Sequence, residues 1–293
     1  MPDEKSGFFN FYRLIRFLKY TVYTIIIAMI KIDLHTHTNF SFDTTQDILG
    51  LIERAKELGI KYLAITDHFE NGSKYATRPL DIPLYCKTIN SYKEAAKQRG
   101  IELLLGIEVG YIPQKNEENA RIIEEFPFDY VINSLHEIDG KDCYFPEYHE
   151  GKDKFTSYNT YFEKVLESVE APYYYSAIGH LGYVVRKAPY NPKEYKYSEF
   201  QDILDIILKR IIVKQKILEI NSSAEGLSEP TIPNLELIKR YYELGGRLIT
   251  FGSDAHRAQK LNENFELIHG MLKDIGFKYF TVVKNRQHLE IEI

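Results

Sequence analysis

The sequence predicts a single α/β barrel in which short parallel strands alternate with amphipathic helices. Three observations lead to this prediction: a composition typical of soluble globular proteins, a strand–helix alternation from Ile30 almost to the end, and no linker-like stretch or internal repeat. The chain has 293 residues, of which 44% are hydrophobic and 27% charged. This length suits one barrel, and this composition excludes a disordered chain or a fibrous repeat.

The alternation can be followed along the chain. Residues 31–35 form the first predicted strand, and a helix with apolar residues at helical spacing follows from Ile48 until Gly59 ends it. Further strands are predicted at residues 62–66, 101–109, 130–134, 175–179, 217–220, 248–252 and 279–283. Further helices are predicted at residues 116–125, 158–169, 199–212, 234–244 and 261–275. Residues 143–156 are the least regular and are expected to form a surface or lid-like loop.

Charge and cysteine content exclude several classes of protein. The net charge is −5, and the first 28 residues carry +2, so the rest is more acidic still. A broad nucleic-acid surface would need a basic face instead, so no nucleic-acid partner is predicted. Cys86 and Cys143 lie far apart with no Cys-x-x-Cys, which excludes a disulfide framework and a thiolate zinc site. We therefore expect a cytoplasmic protein.

The first 28 residues differ from the rest. Their uncharged run, from Tyr20 to Ile30, has 11 residues, whereas crossing a bilayer takes about 20. Three interpretations stay open: an upstream start codon wrongly included, an extra packing helix, or a membrane-surface anchor. Residues 29–293 are expected to form one domain with no membrane partner, and a homo-oligomer is compatible with the sequence.

The histidines carry the functional signal. Of nine, six follow the ends of different predicted elements of the barrel or lie at those ends. These six are His35, His37, His68, His136, His180 and His256. Four carboxylates occupy similar positions: Asp43, Asp67, Glu108 and Asp254. Because the carboxyl ends of parallel barrel strands share one rim, all ten side chains are expected to converge there. By contrast, His149, His269 and His288 have bland surroundings in the sequence and are interpreted as solvated.

Imidazole and carboxylate ligands without thiolate suit zinc, manganese or iron. The nine of these ten side chains that are taken as direct ligands, all but Asp67, are too many for one ion, whereas two or three ions with shared ligands would fit. Such a cluster lowers the pKa of bound water and neutralises an anionic substrate, which suits phosphoester hydrolysis best. The expected partner is thus a small phosphate ester.

Seven short motifs give the chain a family resemblance. They are Asp-Leu-His-Thr-His-Thr, Thr-Asp-His, Gly-Ile-Glu-Val, Phe-Asp-Tyr-Val-Ile-Asn-Ser-Leu-His, Ile-Gly-His-Leu, Leu-Glu-Ile-Asn-Ser-Ser and Gly-Ser-Asp-Ala-His. In this order, from Met29 to about Ile275, the chain resembles the PHP (polymerase and histidinol phosphatase) superfamily. The fourth and sixth motifs resemble its histidinol-phosphate phosphatase branch. The resemblance implies a distorted (β/α)7 barrel, TIM-like and of the PHP type, with a trinuclear metal site.

The resemblance also implies roles for individual residues. One metal would be bound by His35, His37, Glu108 and Asp254, a second by Glu108, His136 and His180, and a third by Asp43, His68 and His256. Asp67 would orient ligands or bound water, and Arg186 would contact the substrate phosphate. Metal-bound water, or a rim group such as Asp254 or His256, would protonate the leaving alkoxide. Glu137 and Glu225 are candidates for binding the cationic groups of the substrate.

Three positions depart from the family pattern without touching the ligand set. Gly110 stands where an Asp commonly follows the Glu-Val pair, Gly182 stands where an Asp often follows His-Leu, and residues 224–228 lack a usual basic residue. These departures bear on the substrate and leave the phosphoesterase prediction intact.

The resemblance implies hydrolysis of L-histidinol phosphate to L-histidinol and phosphate, a step of histidine biosynthesis. One alternative keeps the chemistry and changes the ester to a sugar phosphate, a nucleotide or phosphotyrosine. A nuclease or proofreading domain is disfavoured by the acidic charge. A metal-binding regulatory module without turnover is disfavoured by the complete ligand set.

Overall fold

The computed structural model describes residues 29–293, and the interpretations of residues 1–28 lie outside that range. Its strands are β1 (Lys31–Asp33), β2 (Ile60–Ile65), β3 (His68–Phe69), β4 (Glu102–Gly110), β5 (Tyr130–Ser134), β6 (Glu137–Ile138), β7 (Lys141–Asp142), β8 (Ala177–Ile178), β9 (Ile217–Asn221), β10 (Ile249–Gly252), β11 (Tyr279–Lys284) and β12 (Gln287–Glu292). Its α-helices are α1 (Ile48–Leu58), α2 (Ile82–Lys97), α3 (Asn116–Glu125), α4 (Pro146–His149), α5 (Lys154–Val169), α6 (Gln201–Val213), α7 (Leu235–Glu243) and α8 (Phe265–Ile275).

Seven strands build a parallel, nearly closed barrel in the order β1-β2-β4-β5-β8-β9-β10. Each neighbouring pair is parallel, and the helices between successive strands make the crossover connections. The short strand β3 adds to β4, pairing His68 with Glu108. The predicted α/β barrel of seven strands is therefore confirmed.

The barrel closes at a seam between its first strand and its last. The amide of Leu34 donates to the carbonyl of Phe251 at 2.9 Å, and the amide of His37 donates to the carbonyl of Ala255 at 3.0 Å. Just beyond the two strands, Thr36 forms a parallel bridge with Ala255. The chain segments that carry His35, His37 and Asp254 therefore meet at this seam.

Helix α1 illustrates how sequence signals set the boundaries of the elements. Asp47 caps its first turn by accepting a hydrogen bond from the amide of Gly50 at 2.7 Å. Gly59 ends the helix in the left-handed conformation, with φ of 72°. The apolar face buries Ile48, Leu51, Ile52 and Ala55 against the barrel. The predicted helix and its end at Gly59 are confirmed.

Two sequence expectations differ from the structure. The strand predicted at 279–283 exists, but it pairs with β12 in an antiparallel hairpin and does not join the barrel. The hairpin turns at Asn285 and Arg286, both with positive φ, as a two-residue hairpin loop requires. Residues 143–156 contain helix α4 and part of α5, and both Cys143 and Tyr148 are buried, so this segment is more than a surface loop.

Within residues 29–293, no helix combines the length and apolar character needed to span a bilayer.

Candidate metal centre

The first group of predicted ligands forms a cluster at the seam. His35 and His37, which follow β1, meet Asp254, which follows β10. The Nε2 atom of His37 lies 3.2 Å from Oδ1 of Asp254, and Nε2 of His35 lies 3.4 Å from Oε2 of Glu108. All four side chains are nearly or fully buried. The structure thus brings together the residues predicted for the first metal.

Glu108 links this cluster to a second one. Its Oε1 atom lies 3.0 Å from Nε2 of His180 and 3.3 Å from Nε2 of His136, while the two Nε2 atoms are 3.1 Å apart. Its Oε2 atom faces His35 and His37 instead. One carboxylate placed between two groups of imidazoles has the arrangement of a bridging ligand. The residues predicted for the second metal are therefore adjacent as expected.

The third predicted group lies nearest the solvent. Oδ2 of Asp43 is 2.9 Å from Nε2 of His256 and 3.5 Å from Nε2 of His68. His37 stacks between the other two imidazoles, and the ligand atoms of His37, His68 and His256 all lie within 4.8 Å of one another. Both Asp43 and His37 are thus placed to complete a site with His68 and His256.

The donor atoms of these clusters fit divalent cations. In a buried site, polar atoms without partners are costly, yet Nε2 of His35, Nε2 of His37 and Oε2 of Glu108 have no hydrogen-bond partner within the described residues. Each of these atoms faces the other ligands of its cluster. A cation between them would satisfy all three at once. Imidazole and carboxylate donors are what zinc, manganese or iron prefers.

The pKa values reflect how closely charged groups are placed. Burial alone would raise the pKa of Glu108, but the imidazoles of His35 and His68 outweigh it and hold that pKa well below its usual range. Burial, together with the neighbouring rings of His256 and His68, lowers the pKa of His37 to about 3. His37 is thus neutral at physiological pH, which is the form that binds a metal.

Three imidazoles are held from behind by partners that bond Nδ1. His35 pairs with Oε1 of Glu219 at 2.5 Å, His37 with Oγ of Ser41 at 3.1 Å, and His136 with Oε1 of Glu70 at 2.7 Å. In each case Nε2 is left to face the cluster, which is how ligating histidines are commonly oriented. Sequence reasoning missed Glu219, Ser41 and Glu70 as functional residues. A carboxylate in the middle of buried strand β9 was the available signal for Glu219.

Asp67 is buried, and within the described residues its carboxylate hydrogen-bonds Thr38 and Ser41 rather than any of the nine predicted ligands. Its carboxylate accepts hydrogen bonds from the amide and hydroxyl of Thr38, both at 2.6 Å, and from the amide and hydroxyl of Ser41. Burial raises the pKa of Asp67 to about 6, against these donors. Because Ser41 in turn contacts His37, Asp67 is placed one step behind the cluster.

Arg186 stands beside the clusters, on the wall of a cavity of about 500 Å³ that is also lined by His68, His136, His180, Asp254 and His256. Its Nη2 donates to Oδ2 of Asp254 at 2.7 Å and to Oδ1 of Asn221 at 3.2 Å. Its Nε is buried with no partner within the described residues, while 13% of the side chain as a whole is exposed.

Of the two glutamates predicted to bind cationic groups of the substrate, only one lines the cavity. Glu225 lines it and is highly exposed. Glu137 lies outside it, where its carboxylate accepts a hydrogen bond from Ser73 at 2.7 Å. Asp142, which sequence reasoning did not single out, lines the cavity as well.

His149 corrects another expectation. It is buried rather than solvated, with Nδ1 2.9 Å from Oγ of Ser157 and Nε2 3.1 Å from the carbonyl of Cys143. It therefore has a structural role in fixing the segment between β7 and α5.

A parallel barrel whose strand ends bring six imidazoles and several carboxylates together around a cavity defines a protein that binds divalent metals. Residues 33–223 match the model of the PHP domain family. This chain belongs to the PHP domain family.

Similar proteins agree in length and fold. A probable histidinol-phosphatase of Clostridium acetobutylicum is 32% identical over 249 residues, which cover 84% of this chain and 94% of that protein. A probable phosphatase of Clostridium botulinum is 26% identical over 266 residues, covering 89% of this chain and 93% of the relative. The crystal structure of histidinol phosphate phosphatase from Lactococcus lactis, complexed with zinc, L-histidinol and phosphate, superimposes with a TM-score of 0.83 at 28% identity, covering 89% of this chain and all of that one.

Proposed function

We propose that this protein is a metal-dependent phosphatase that hydrolyses L-histidinol phosphate to L-histidinol and phosphate. The observation that carries the proposal is that Glu108 joins two clusters of buried imidazoles at a cavity whose wall includes the guanidinium of Arg186. The family membership supports it, as do the histidinol-phosphatases that align with most of the chain. Such an activity belongs to histidine biosynthesis.

We assign the metal ligands as the resemblance implies. His35, His37, Glu108 and Asp254 would hold one ion, Glu108, His136 and His180 a second, and Asp43, His68 and His256 a third. We propose two or three ions of zinc, manganese or iron. The zinc bound in the Lactococcus lactis structure supports zinc as the metal. Bound there, the ions would neutralise the ester's charge and lower the pKa of water for attack on phosphorus.

The chain's own residues then orient the ester. The guanidinium of Arg186, whose side chain lines the cavity, can donate to a phosphate oxygen while its Nη2 stays with Asp254. Because Arg186 is already held by Asp254 and Asn221, it needs no reorganisation as negative charge builds up in the transition state. Asp67 would act through Ser41, which it holds against His37. Glu225 or Asp142, rather than Glu137, would meet the cationic groups of the substrate.

The pKa values of Asp254 and His256 distinguish these two candidates for proton donation to the leaving alkoxide. Burial is outweighed by Arg186 and His35, which hold the pKa of Asp254 well below its usual range, so Asp254 carries no proton at neutral pH. The pKa of His256 is raised instead, because Asp43 outweighs the effect of burial. We therefore assign proton donation to Nε2 of His256. The same atom cannot also bind a metal, so this role applies when two ions are bound, and with three the donor would be a water molecule.

We place the enzyme in the cytoplasm. Cys86 and Cys143 are both free and buried thiols, as expected in a reducing compartment.

The test is to follow phosphate release by the full-length protein from L-histidinol phosphate, beside sugar phosphates, nucleotides and phosphotyrosine. Zinc and manganese are supplied in parallel. We expect L-histidinol phosphate to lead in kcat/KM by about 100-fold or more, which corresponds to about 2.7 kcal/mol of transition-state discrimination. If a different ester has the highest kcat/KM, the phosphatase activity stands and the proposed substrate is wrong. The probable phosphatases among the relatives favour that second candidate.

A further inference from the structure

A buried carboxylate outside the predicted ligand set touches two of its members. Glu70 directly follows β3, and its side chain is only 6% exposed. Its Oε1 atom lies 2.7 Å from Nδ1 of His136 and 3.4 Å from Nδ1 of His68. A carboxylate is rarely buried without a partner, so these contacts account for its position.

Gly110, at the end of β4, leaves room for this carboxylate. A Cβ atom at position 110 would lie 1.9 Å from Oε2 and 2.5 Å from Cδ of Glu70. Gly110 is not among the residues with positive φ, so its backbone conformation does not itself require glycine. The requirement is spatial: any side chain at this position would displace Glu70 from His136.

The contact with Glu70 determines which nitrogen of His136 is available. When Nδ1 carries the proton and donates it to Glu70, Nε2 keeps its lone pair. That Nε2 faces Oε1 of Glu108 at 3.3 Å and Nε2 of His180 at 3.1 Å. A neutral imidazole in this tautomer and orientation is a competent metal ligand through Nε2.

We propose that Glu70 is the positioning residue of His136, fixing its tautomer and ring orientation for metal binding, and that Gly110 is the space-making partner of Glu70. The inference rests on the proposed role of His136 as a metal ligand. One other arrangement competes, because ligand atoms of His68, Glu70 and His136 also lie within 4.8 Å of one another. The 2.7 Å contact between Glu70 and His136 is a hydrogen-bond distance and favours positioning over direct ligation.

Four variants of the full-length protein test this proposal. Glu70→Ala removes the acceptor, and Glu70→Gln keeps a neutral acceptor of the same shape. Gly110→Ala keeps Glu70 but fills its space. The double variant Glu70→Ala with Gly110→Asp supplies a carboxylate from the neighbouring strand. Matched controls are Gly270→Ala, where an added Cβ meets nothing within 4 Å, and Glu147→Ala at an exposed carboxylate.

The first readout is metal affinity, measured by titrating zinc into chelator-treated protein against a chromophoric chelator. We expect Glu70→Ala and Gly110→Ala each to weaken zinc binding about 10- to 100-fold, the range typical when a partner of a ligating histidine is lost. Glu70→Gln should weaken it less, and the double variant should recover part of the loss. Both controls should bind as the unaltered protein does.

The second readout needs no substrate. In zinc-loaded protein labelled with ¹⁵N-histidine, the ring nitrogens of His136 should show a protonated Nδ1 beside a metal-bound Nε2, and Glu70→Ala should weaken or abolish this pattern. Unaltered affinity and tautomer in Glu70→Ala would overturn the proposal, and so would normal affinity in Gly110→Ala.

The number of bound ions distinguishes the competing arrangement. If Glu70→Ala binds one zinc fewer per chain by elemental analysis, with the remaining sites unaffected, then Glu70 is a ligand and the positioning role is wrong. Failure of the unaltered protein to hydrolyse L-histidinol phosphate would instead overturn the proposed substrate, while the affinity and tautomer results would still decide the role of Glu70.

Discussion

His35, His37 and His136 share one design at the scale of the residue: Nδ1 contacts a polar partner, and Nε2 faces the centre of the site. The partners differ in charge, because Glu219 and Glu70 are carboxylates whereas Ser41 is a hydroxyl. A carboxylate behind an imidazole increases the basicity of the ligating nitrogen. We therefore expect His35 and His136 to be stronger ligands than His37.

Glu108→Gln tests the bridging carboxylate. The amide keeps the size of the side chain but removes the charge shared by both imidazole clusters, so we expect kcat to fall about 10³-fold or more, in line with the loss of a preorganised charged group. The measurement is phosphate release at saturating substrate, with bound metal counted by elemental analysis. Glu102→Gln, on the same strand but half-exposed beside Lys284, should leave kcat unchanged. Near-normal turnover in metal-replete Glu108→Gln would contradict the bridged site.

Arg186→Ala tests the phosphate contact. We expect KM to rise more than kcat falls, because the guanidinium binds the ester both before and during the reaction. Arg186→Lys should recover only part of the loss, since an ammonium cannot keep Asp254 and Asn221 while also contacting phosphate. The adjacent Lys187, a second cation on the cavity wall, provides the control: Lys187→Ala should have a smaller effect. If KM and kcat of Arg186→Ala are both normal, the phosphate role is wrong.

Sequence reasoning found the residues that follow strand ends and missed the residues behind them. Residues at the carboxyl ends of parallel strands meet at one rim, so His35, His68, Glu108 and Asp254 become neighbours. Their places in the strand–helix alternation were therefore sufficient to predict the cluster. Glu70 depends instead on the absence of a side chain at residue 110, which is visible only once β3 and β4 are paired in register. Contacts of this kind have no signature in local periodicity.

At the scale of the element, helix α2 was missed although its signals are present. Asp81 caps it, accepting from the amide of Leu84 at 3.0 Å, and its buried residues recur at helical spacing. Tyr85 explains its importance, since the hydroxyl lies 2.9 Å from the carbonyl of Ile65 and 2.8 Å from that of Gly106. The helix thus contacts β2 and β4 where their pairing ends. Pro83, in the first turn, is a further start signal, so this helix was predictable from the sequence.

Helices α6 and α7 are joined by an ion pair that makes stability depend on pH. Arg240 donates from Nε and Nη2 to the two oxygens of Asp205, at 2.9 and 2.7 Å, and these bonds hold the pKa of Asp205 well below its usual range. Because the folded state favours the charged carboxylate, its contribution is complete above about pH 4, near the unfolded pKa, and is lost as the pH falls further.

Asp205→Asn should therefore lower the free energy of unfolding at pH 7 by about 1–2 kcal/mol, between the values for exposed ion pairs and for hydrogen bonds to charged groups. The difference from the unaltered protein should shrink as the pH falls below 4. Urea denaturation at pH 7, 4 and 3 measures it, with the exposed Asp202→Asn on the same helix as control. A difference that is constant across these pH values would contradict the ion-pair account.

At the scale of the whole molecule, metal binding and folding stability are linked. The proposed ligands come from strand ends around the barrel, so an ion bound to them in the folded protein would have no equivalent site in the unfolded chain. At a free concentration 100 times its dissociation constant, one ion adds about 2.7 kcal/mol. For a chain of this size we expect a rise of roughly 5–10 °C in Tm.

Thermal melting of chelator-treated protein with and without zinc measures this rise. Magnesium, which prefers oxygen ligands, should give a much smaller shift at the same concentration. Glu108→Gln should reduce the zinc effect. Equal Tm values with and without zinc would show that the ions do not bind at ligands gathered from across the barrel.

The seam between β1 and β10 also has a consequence for the time at which metal can be acquired. His37 and Asp254, which share the first cluster, are more than 200 positions apart in the sequence. A chain emerging from the ribosome therefore exposes His35 and His37 long before it contains Asp254 or His256. The full set of ligands comes into existence only when the last barrel strand docks beside the first. On the proposed ligand assignment, metal capture at this cluster thus requires completed synthesis and folding, and we expect a truncated chain to gain no such ion.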